Sequence, residues 1–197
     1  MPVVCALAGR GGISGMQALV AMIAGYDLAA RVLEGAGGYR SHNESGWHST
    51  ATCGSFGAAC ASAKLLGLDA SRFADALGIA GTFTGGTWAF LADGAMTKRF
   101  HPGKAAETGL CAALLAQAGM TGPHSVLEAE WGGFFATYAR GCATPDAMLE
   151  GFGVELGEVR ATLAGGQDEW RKLVSTMDAK RSGATVAKPP KAAKTTG

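Results

Sequence analysis

Five side chains that can move protons or bind anions are concentrated in two short stretches of the sequence. The first, GWHST, contains His48, and the second, TKRFHPGK, contains Lys98, Arg99, His101 and Lys104. A neutral histidine acts as an acid or a base near pH 7, and lysine and arginine bind carboxylates. Two such stretches, placed together, could exchange a carbon-bound proton while holding a carboxylate substrate. The residue types therefore predict one anion-binding pocket in which His48 faces Lys98.

Spacing alone also allows a purely structural role for these residues. In that interpretation His48 forms a hydrogen bond within its loop, and Lys98 and Arg99 are solvated side chains. The other two histidines, His42 and His124, are predicted to be ordinary surface residues. The four histidines lack metal-ligand spacing, so no metal site and no cofactor are predicted.

The five cysteines, at positions 5, 53, 60, 111 and 142, form no CxxC pair and are predicted to be reduced and mostly buried. Cys53 lies at a predicted helix start, where a thiol pKa can fall. A Cys–His nucleophile is not favoured, because no Asn or Asp stands beside it to orient a histidine. The Gly-rich pieces GRGGISG and GTFTGG do not end in GK[ST] and do not follow a strand, so they predict no nucleotide site.

Length and charge limit the protein class. A chain of 197 residues, 48% of them hydrophobic, is suited to one domain with a sizeable core. The net charge of +1 argues against a nucleic-acid-binding surface. The apolar run 18–33 carries Asp27 and Arg31, and nothing resembles a signal peptide. The chain is therefore expected to be soluble and cytoplasmic, without a membrane partner.

The elements that must position the two charged stretches are helices. Apolar spacing predicts helices over about 15–34, with a Ser14–Gln17 capping box, over about 52–67, from Asp69 onward, and over about 104–118. Residues 35–47 are predicted to form a loop, and a short helix is expected to start at Ser125. No segment before residue 150 alternates with period two, so the predicted fold class is all-α. Residues 154–178 are polar and weakly helical, and residues 179–197 form a basic, low-complexity tail that should be disordered.

Several separated segments resemble the core of the MmgE/PrpD family, in the family's order: GWHSTATCGSFGAACASAKLLGLD, ALGIAGT, FLADGAMTKRFHPGKAAETGLCAALLAQAGMTGP and VLEAEWGGFFATYA. The family includes 2-methylcitrate dehydratase, cis-aconitate decarboxylase and an iminodisuccinate epimerase. The resemblance implies a large helical domain followed by an α+β lid, a homodimer, and metal-free chemistry on a small polycarboxylate. It covers about residues 3–150, so residues 1–153 are interpreted as part of the helical domain, with the lid domain absent.

The resemblance also implies roles for individual residues. The family's histidine in the G-aromatic-H motif falls on His48, and its lysine in the T-K-x-x-H motif falls on Lys98; both are expected to be catalytic. Arg99, His101 and Lys104 are the expected substrate-binding residues. At Lys104 the family often has an aromatic residue or Asn, and at Glu107 it often has His, so this chain departs from the pattern at two positions.

The resulting functional prediction is a hydro-lyase of the 2-methylcitrate dehydratase type that works by acid–base proton abstraction. Two alternatives remain open: a decarboxylase or epimerase of the same family, or an inactive helical fragment that serves in self-association. Because the family's upstream acid–base residues and its lid have no counterpart in these residues, the chain on its own is expected to have little or no activity.

Overall fold

The computed structural model describes residues 2–151, and within them the regular structure is helical. The α-helices are α1 (Pro2–Ala8), α2 (Gly15–Gly35), α3 (Gly38–Glu44), α4 (Ser49–Leu65), α5 (Ala70–Phe83), α6 (Phe90–Asp93), α7 (His101–Gln117) and α8 (Phe134–Tyr138). Two 3₁₀ segments, Met96–Phe100 and Pro145–Met148, complete the described part. Apart from one isolated antiparallel bridge between Trp47 and Thr87, these residues contain no strand pairing. The all-α prediction is confirmed.

Helix α4 forms the centre of the domain. Its sequence, STATCGSFGAACASAKL, consists mainly of Ala, Gly, Ser and Cys, and it is buried around most of its circumference. It contacts α1, α2, α5 and α7. Small side chains allow this arrangement because neighbouring helix backbones can approach closely, and Phe56 is its one fully buried large side chain. His48, the residue that precedes α4, is therefore joined directly to a closely packed core helix.

Glycines mark the closest helix crossings. A Cβ atom added to Gly25 of α2 would lie 2.6 Å from the carbonyl oxygen of Gly57 in α4, and one added to Gly57 would clash with the carbonyl oxygen of Gly25. On the opposite side of α4, a Cβ at Gly109 of α7 would clash with the backbone nitrogen of Ala59. Both neighbours of α4 are thus packed backbone to backbone.

Helix boundaries agree with the prediction where capping residues define them. Ser14 and Gln17 form the capping box of α2, and the Asp69 carboxylate accepts from the backbone N–H of Arg72 at the start of α5. The other two helices begin earlier than predicted. Helix α4 starts at Ser49 instead of Thr52, and α7 starts at His101 instead of Lys104 with Pro102 in its first turn, where proline is tolerated. Both charged stretches therefore lead directly into helices.

Two local predictions are wrong. Residues 35–47 were expected to be loop but contain helix α3. No helix begins at Ser125, where the chain makes turns before α8. The predictions for residues 154–178 and 179–197 lie outside the described residues.

Helix α2 is the one helix in the described part that is long and apolar enough to cross a membrane on length and composition alone. A core helix of a soluble protein meets the same criterion. Ala21, Gly25 and Val32 of α2 are buried within the domain, and the opposite face is exposed. One face of α2 therefore packs against the domain, and the opposite face is open to solvent in the described part.

Candidate active site

His48 occupies the position immediately before helix α4. Its side chain is 5% exposed, and its backbone N–H donates to the carbonyl oxygen of Gly86 at 3.0 Å. The neighbouring Trp47–Thr87 bridge joins the same two segments. Gly86 has a φ of +146°, and a Cβ there would clash with the Cβ of Ala51 and lie 3.4 Å from Cε1 of His101. Glycine is therefore needed for this close approach.

His48 and His101 form a direct hydrogen-bonded pair. Their Nδ1 atoms lie 2.6 Å apart, and their ring centroids are 4.8 Å apart. His101 begins helix α7, so the pair brings the starts of α4 and α7 together. The rings of Trp88 and Phe90 contact His48 edge-on, with centroid distances of 4.4 and 5.5 Å. Two aromatic side chains thus pack against the His48 imidazole.

The hydrogen bond between the two rings limits which nitrogen atoms can carry a proton. One Nδ1 donates and the other accepts, so the accepting ring is neutral and carries its proton on Nε2. If the donating ring is also neutral, its Nε2 has a free lone pair. The pair then presents one N–H and one basic nitrogen at its two Nε2 atoms. Both rings cannot be imidazolium while the bond persists, because neither Nδ1 could accept.

Lys98 lies on the 3₁₀ segment Met96–Phe100, directly before α7. Its Nζ is 5.5 Å from the centroid of the Trp88 ring, the ring that also contacts His48. The two charged stretches predicted from the sequence do converge, with Trp88 in contact with both. Their catalytic roles remain a prediction.

The environment favours the neutral form of His48. Burial lowers its pKa from the ordinary value of 6.5, and the positive charges of His101 and Lys98 lower this pKa further. A histidine with a pKa below 6.5 is mostly uncharged at pH 7, which is the form that can accept a proton.

Arg99 and Lys104 lie at the edge of this cluster. Arg99 is exposed on the same 3₁₀ segment as Lys98. Lys104 is exposed on the first turns of α7, where its Nζ forms an ion pair with Oε1 of Glu107 at 3.1 Å. The two positions at which the sequence departs from the family pattern therefore pair with each other.

Sequence reasoning missed the aromatic and amide side chains that position the charged ones. Trp88 Nε1 donates to Oδ1 of Asn43 at 2.7 Å and to the carbonyl oxygen of Trp47 at 3.0 Å. Phe90 is buried and contacts both His48 and His101. The two aromatic residues in TWAF, which six residues separate from the second charged stretch, were the available signal.

The remaining histidines behave differently from each other. His124 is exposed, as predicted, and its Nε2 lies 3.0 Å from Oδ1 of Asp75. The prediction for His42 is wrong, because its side chain is fully buried, with Nε2 2.7 Å from Oγ1 of Thr52. It stacks on Phe134 and Tyr138, so the fold places it in the core despite its polar neighbours in sequence.

Only two of the five cysteines are buried, so the prediction of mostly buried thiols is wrong. Cys53 and Cys60 are buried, whereas the thiol-bearing residues at positions 5, 111 and 142 are exposed. None forms a disulfide within residues 2–151. Burial raises the pKa of the Cys53 thiol to about 12, which argues against a nucleophilic role for it.

A groove of about 270 Å³ lies between α1, α2, α4 and α7. Small apolar side chains line it, and Tyr26 is its one titratable residue. It therefore differs in chemistry from the histidine pair. Across residues 2–151, no group of three or more His, Cys, Asp or Glu side chains has a metal-binding arrangement.

Residues 1–144 match the MmgE/PrpD N-terminal domain. The chain belongs to the MmgE/PrpD family. A cis-aconitate decarboxylase-like protein of Aspergillus oryzae is 39% identical over 148 residues, which is 74% of this chain and 30% of that protein. The cis-aconitate decarboxylase of Aspergillus terreus is 38% identical over 129 residues, covering 66% of this chain and 26% of the enzyme. The Homo sapiens cis-aconitate decarboxylase is 35% identical over 130 residues, with coverage of 64% and 26%.

The chain therefore spans between about a quarter and a third of the length of these relatives. The resemblance noted from the sequence segments is confirmed at the level of the family.

Proposed function

We propose that this chain carries part of the active site of a lyase that acts on a small polycarboxylate, with decarboxylation as the reaction. The observation that carries the proposal is the His48–His101 pair, with Nδ1 atoms 2.6 Å apart, beside the Lys98 ammonium at Trp88. The names of the relatives, cis-aconitate decarboxylases, favour loss of CO₂ over the hydro-lyase reaction expected from the sequence. Dehydration of a 2-methylcitrate-like substrate and epimerisation are the alternatives.

Decarboxylation of an unsaturated tricarboxylate requires a proton donor. The bond between carbon and the departing carboxylate breaks, CO₂ leaves, and the electron pair stays on the carbon skeleton, where it is delocalised. A proton must then be added to carbon. In the singly protonated histidine pair, the ring that donates its Nδ1 proton is an imidazolium, and its Nε2–H can supply this proton and leave the ring neutral.

The pair can also be restored without moving either ring. Once the imidazolium has given up its Nε2 proton, the 2.6 Å hydrogen bond between the two Nδ1 atoms is still in place. The bare Nε2 then takes a proton from solvent, which returns the singly protonated pair. For dehydration or epimerisation the first step would run in reverse, with the neutral His48 as the base that removes a carbon-bound proton.

Cations must hold the carboxylates that do not react. Lys98 is next to the histidine pair, and Arg99 is the second positive side chain of the same 3₁₀ segment. The start of the 17-residue helix α4 lies beside His48 and favours negative charge through its backbone N–H groups and its dipole. His101 is itself a member of the histidine pair. Lys104 is the proposed substrate-binding residue farthest in sequence from Lys98, and it forms an ion pair with Glu107.

Binding and turnover of cis-aconitate by the purified chain test the proposal. In ¹H–¹⁵N spectra, cis-aconitate is expected to shift the ring resonances of His48 and His101, and formation of the decarboxylated product is followed by NMR. Lys98→Ala is expected to weaken binding about tenfold or more, since a charge-assisted contact is lost. Lys64→Ala is the matched control, because Lys64 lies in the last turn of α4, at the end opposite His48.

The outcomes separate the candidate functions. Shifts at the histidine pair that Lys98→Ala weakens and Lys64→Ala leaves unchanged support the polycarboxylate site. Turnover by these 197 residues alone is expected to be low or undetectable, because they span only about a quarter to a third of the length of the relatives. Absence of any shift at His48 and His101, with citrate and 2-methylcitrate as well as cis-aconitate, would favour the inactive, self-associating helical fragment.

A further inference from the structure

Trp88 contacts both residues that the proposed function needs most. Its ring lies edge-on to His48 with a centroid distance of 4.4 Å, and the Lys98 ammonium is 5.5 Å from its centroid. Lys98 is otherwise exposed on its 3₁₀ segment. A single indole is thus the contact that the histidine and the lysine share.

Hydrogen bonds hold both the indole ring and the backbone of Trp88. Nε1 donates to Asn43 Oδ1 at 2.7 Å and to the Trp47 carbonyl at 3.0 Å, and the backbone N–H of Trp88 donates to the Gly46 carbonyl at 3.0 Å. Asn43 Oδ1 also accepts from the backbone N–H of Ser49, the first residue of α4, at 3.4 Å. The position of the ring is therefore tied to the segment that carries His48.

An aromatic ring is well suited to hold a lysine that must bind an anion. A lysine side chain has many rotamers, and an exposed one samples most of them. The face of an indole attracts an ammonium group and restricts this motion. Unlike Asp or Glu, the ring has no negative charge, so it does not neutralise the lysine or compete with a carboxylate for it.

We propose that Trp88 is a positioning residue that fixes the Lys98 ammonium next to His48, using Asn43 and the Trp47 carbonyl as its anchor. The purpose of this positioning rests on the proposed function, which requires Lys98 to bind an anion. The coupling among Trp88, Lys98 and His48, however, exists in the free protein. It can therefore be measured without substrate.

The test is a double-mutant cycle read out by NMR titration of His48. The positive charge of Lys98 is one of the causes that lower the pKa of His48. Lys98→Ala is therefore expected to raise this pKa in the wild-type background. In the Trp88→Leu background, where Lys98 is no longer held nearby, Lys98→Ala is expected to have little further effect.

A spectroscopic signature reports the contact directly. The ε-methylene protons of Lys98 are expected to be shifted upfield by the Trp88 ring, and this shift should disappear in Trp88→Leu. Trp88→Phe keeps an aromatic face without the Nε1–H donor, so part of the upfield shift is expected to remain. Asn43→Ala, which removes the anchor but keeps the indole, should likewise reduce the shift in part.

Two results would overturn the proposal. One is an ordinary, unshifted Lys98 ε-methylene resonance in the wild-type chain. The other is an equal rise of the His48 pKa on Lys98→Ala in both backgrounds. If Trp88→Leu does not fold, the Phe and Asn43 variants decide the question by the same resonance. Failure of cis-aconitate to bind would count against the proposed function and leave this cycle unaffected.

Discussion

The His48–His101 pair defines the chemistry of the candidate site at the scale of single residues. A hydrogen bond between two Nδ1 atoms forces the rings into complementary protonation states and excludes a doubly charged pair. Burial and nearby positive charge act on His48 in the same direction, toward the neutral form. The hydrogen bond therefore makes the position of the proton on one ring depend on its position on the other.

His101→Ala is expected to raise the pKa of His48. The substitution removes the positive charge of His101, which lowers this pKa, and opens the ring to water, so the burial contribution shrinks as well. NMR titration of the His48 ring resonances measures the change. His124→Ala is the control, because His124 contacts Asp75 and lies outside the pair. An unchanged or lower His48 pKa in His101→Ala would contradict the expectation.

Buried His42 should make the folded chain less stable in mildly acidic solution. Burial lowers its pKa from 6.5, so between the folded-state pKa and about 6.5 the unfolded chain binds more protons than the folded one. Its stabilising contribution is therefore fully present above pH 6.5 and is lost as pH falls through the folded-state pKa. His48 acts with the same sign.

Urea unfolding measures this dependence. The free energy of unfolding is expected to be lower near pH 5 than near pH 7.5, and His42→Gln is expected to flatten part of this slope. Glutamine has no titrating group in this range and keeps a polar atom near Thr52. A slope that His42→Gln leaves unchanged would show that His42 does not titrate with a lowered pKa.

At the scale of elements, the small residues of α4 allow two neighbouring helices to approach backbone to backbone. The crossing of α2 and α4 at Gly25 and Gly57 has no room for a side chain at Gly57, and the crossing of α4 and α7 has none at Gly109. Because His48 precedes α4 and His101 begins α7, the α4–α7 crossing also sets the distance between the two imidazoles. Packing and site geometry are therefore linked.

Gly57→Ala is expected to lower the free energy of unfolding by about 1–3 kcal/mol, because the added methyl group meets the backbone of α2. Gly15→Ala is the matched control at the start of α2. Nothing lies within 4 Å of the Cβ it would add, so stability should be unchanged or slightly higher. Chemical denaturation of the two variants decides the point, and equal stabilities would show that the crossing can relax.

Capping and apolar spacing predicted the elements whose boundaries are set locally. Helices α2 and α5 begin where Ser14 and Asp69 cap them. Helix α3 was missed because YRSHNE lacks an apolar repeat, and its helical state depends on tertiary contacts such as the stacking of His42 on Phe134 and Tyr138. Local patterns do not encode such contacts.

The sequence predicted only part of the candidate site, again because local patterns do not encode contacts between distant segments. His48 and Lys98 stand out by residue type and by the family resemblance. Trp88 and Asn43 do not, because their importance comes from a hydrogen bond across 45 positions of sequence and from the Trp47–Thr87 bridge. Only the folded chain brings those segments together.

At the scale of the whole molecule, α2 carries an apolar face that the rest of residues 2–151 leaves exposed. Within the described residues, five exposed apolar side chains recur at helical spacing on this face: Met16, Leu19, Val20, Ile23 and Tyr26. Large exposed apolar patches are uncommon on soluble monomers and often mark interfaces. Together with the homodimer that the family resemblance implies, this face supports self-association as a proposal.

The purified chain is therefore expected to associate at micromolar concentration, with Ile23→Lys shifting the distribution toward monomer. Lysine at an exposed position should cost little folding stability but is costly to bury in an apolar contact. Leu91→Lys is the control, because Leu91 is also exposed but lies on α6. Light scattering coupled to size-exclusion chromatography measures the mass. A monomeric wild-type chain, or equal association of Ile23→Lys and wild type, would show that this face of α2 is not the contact surface.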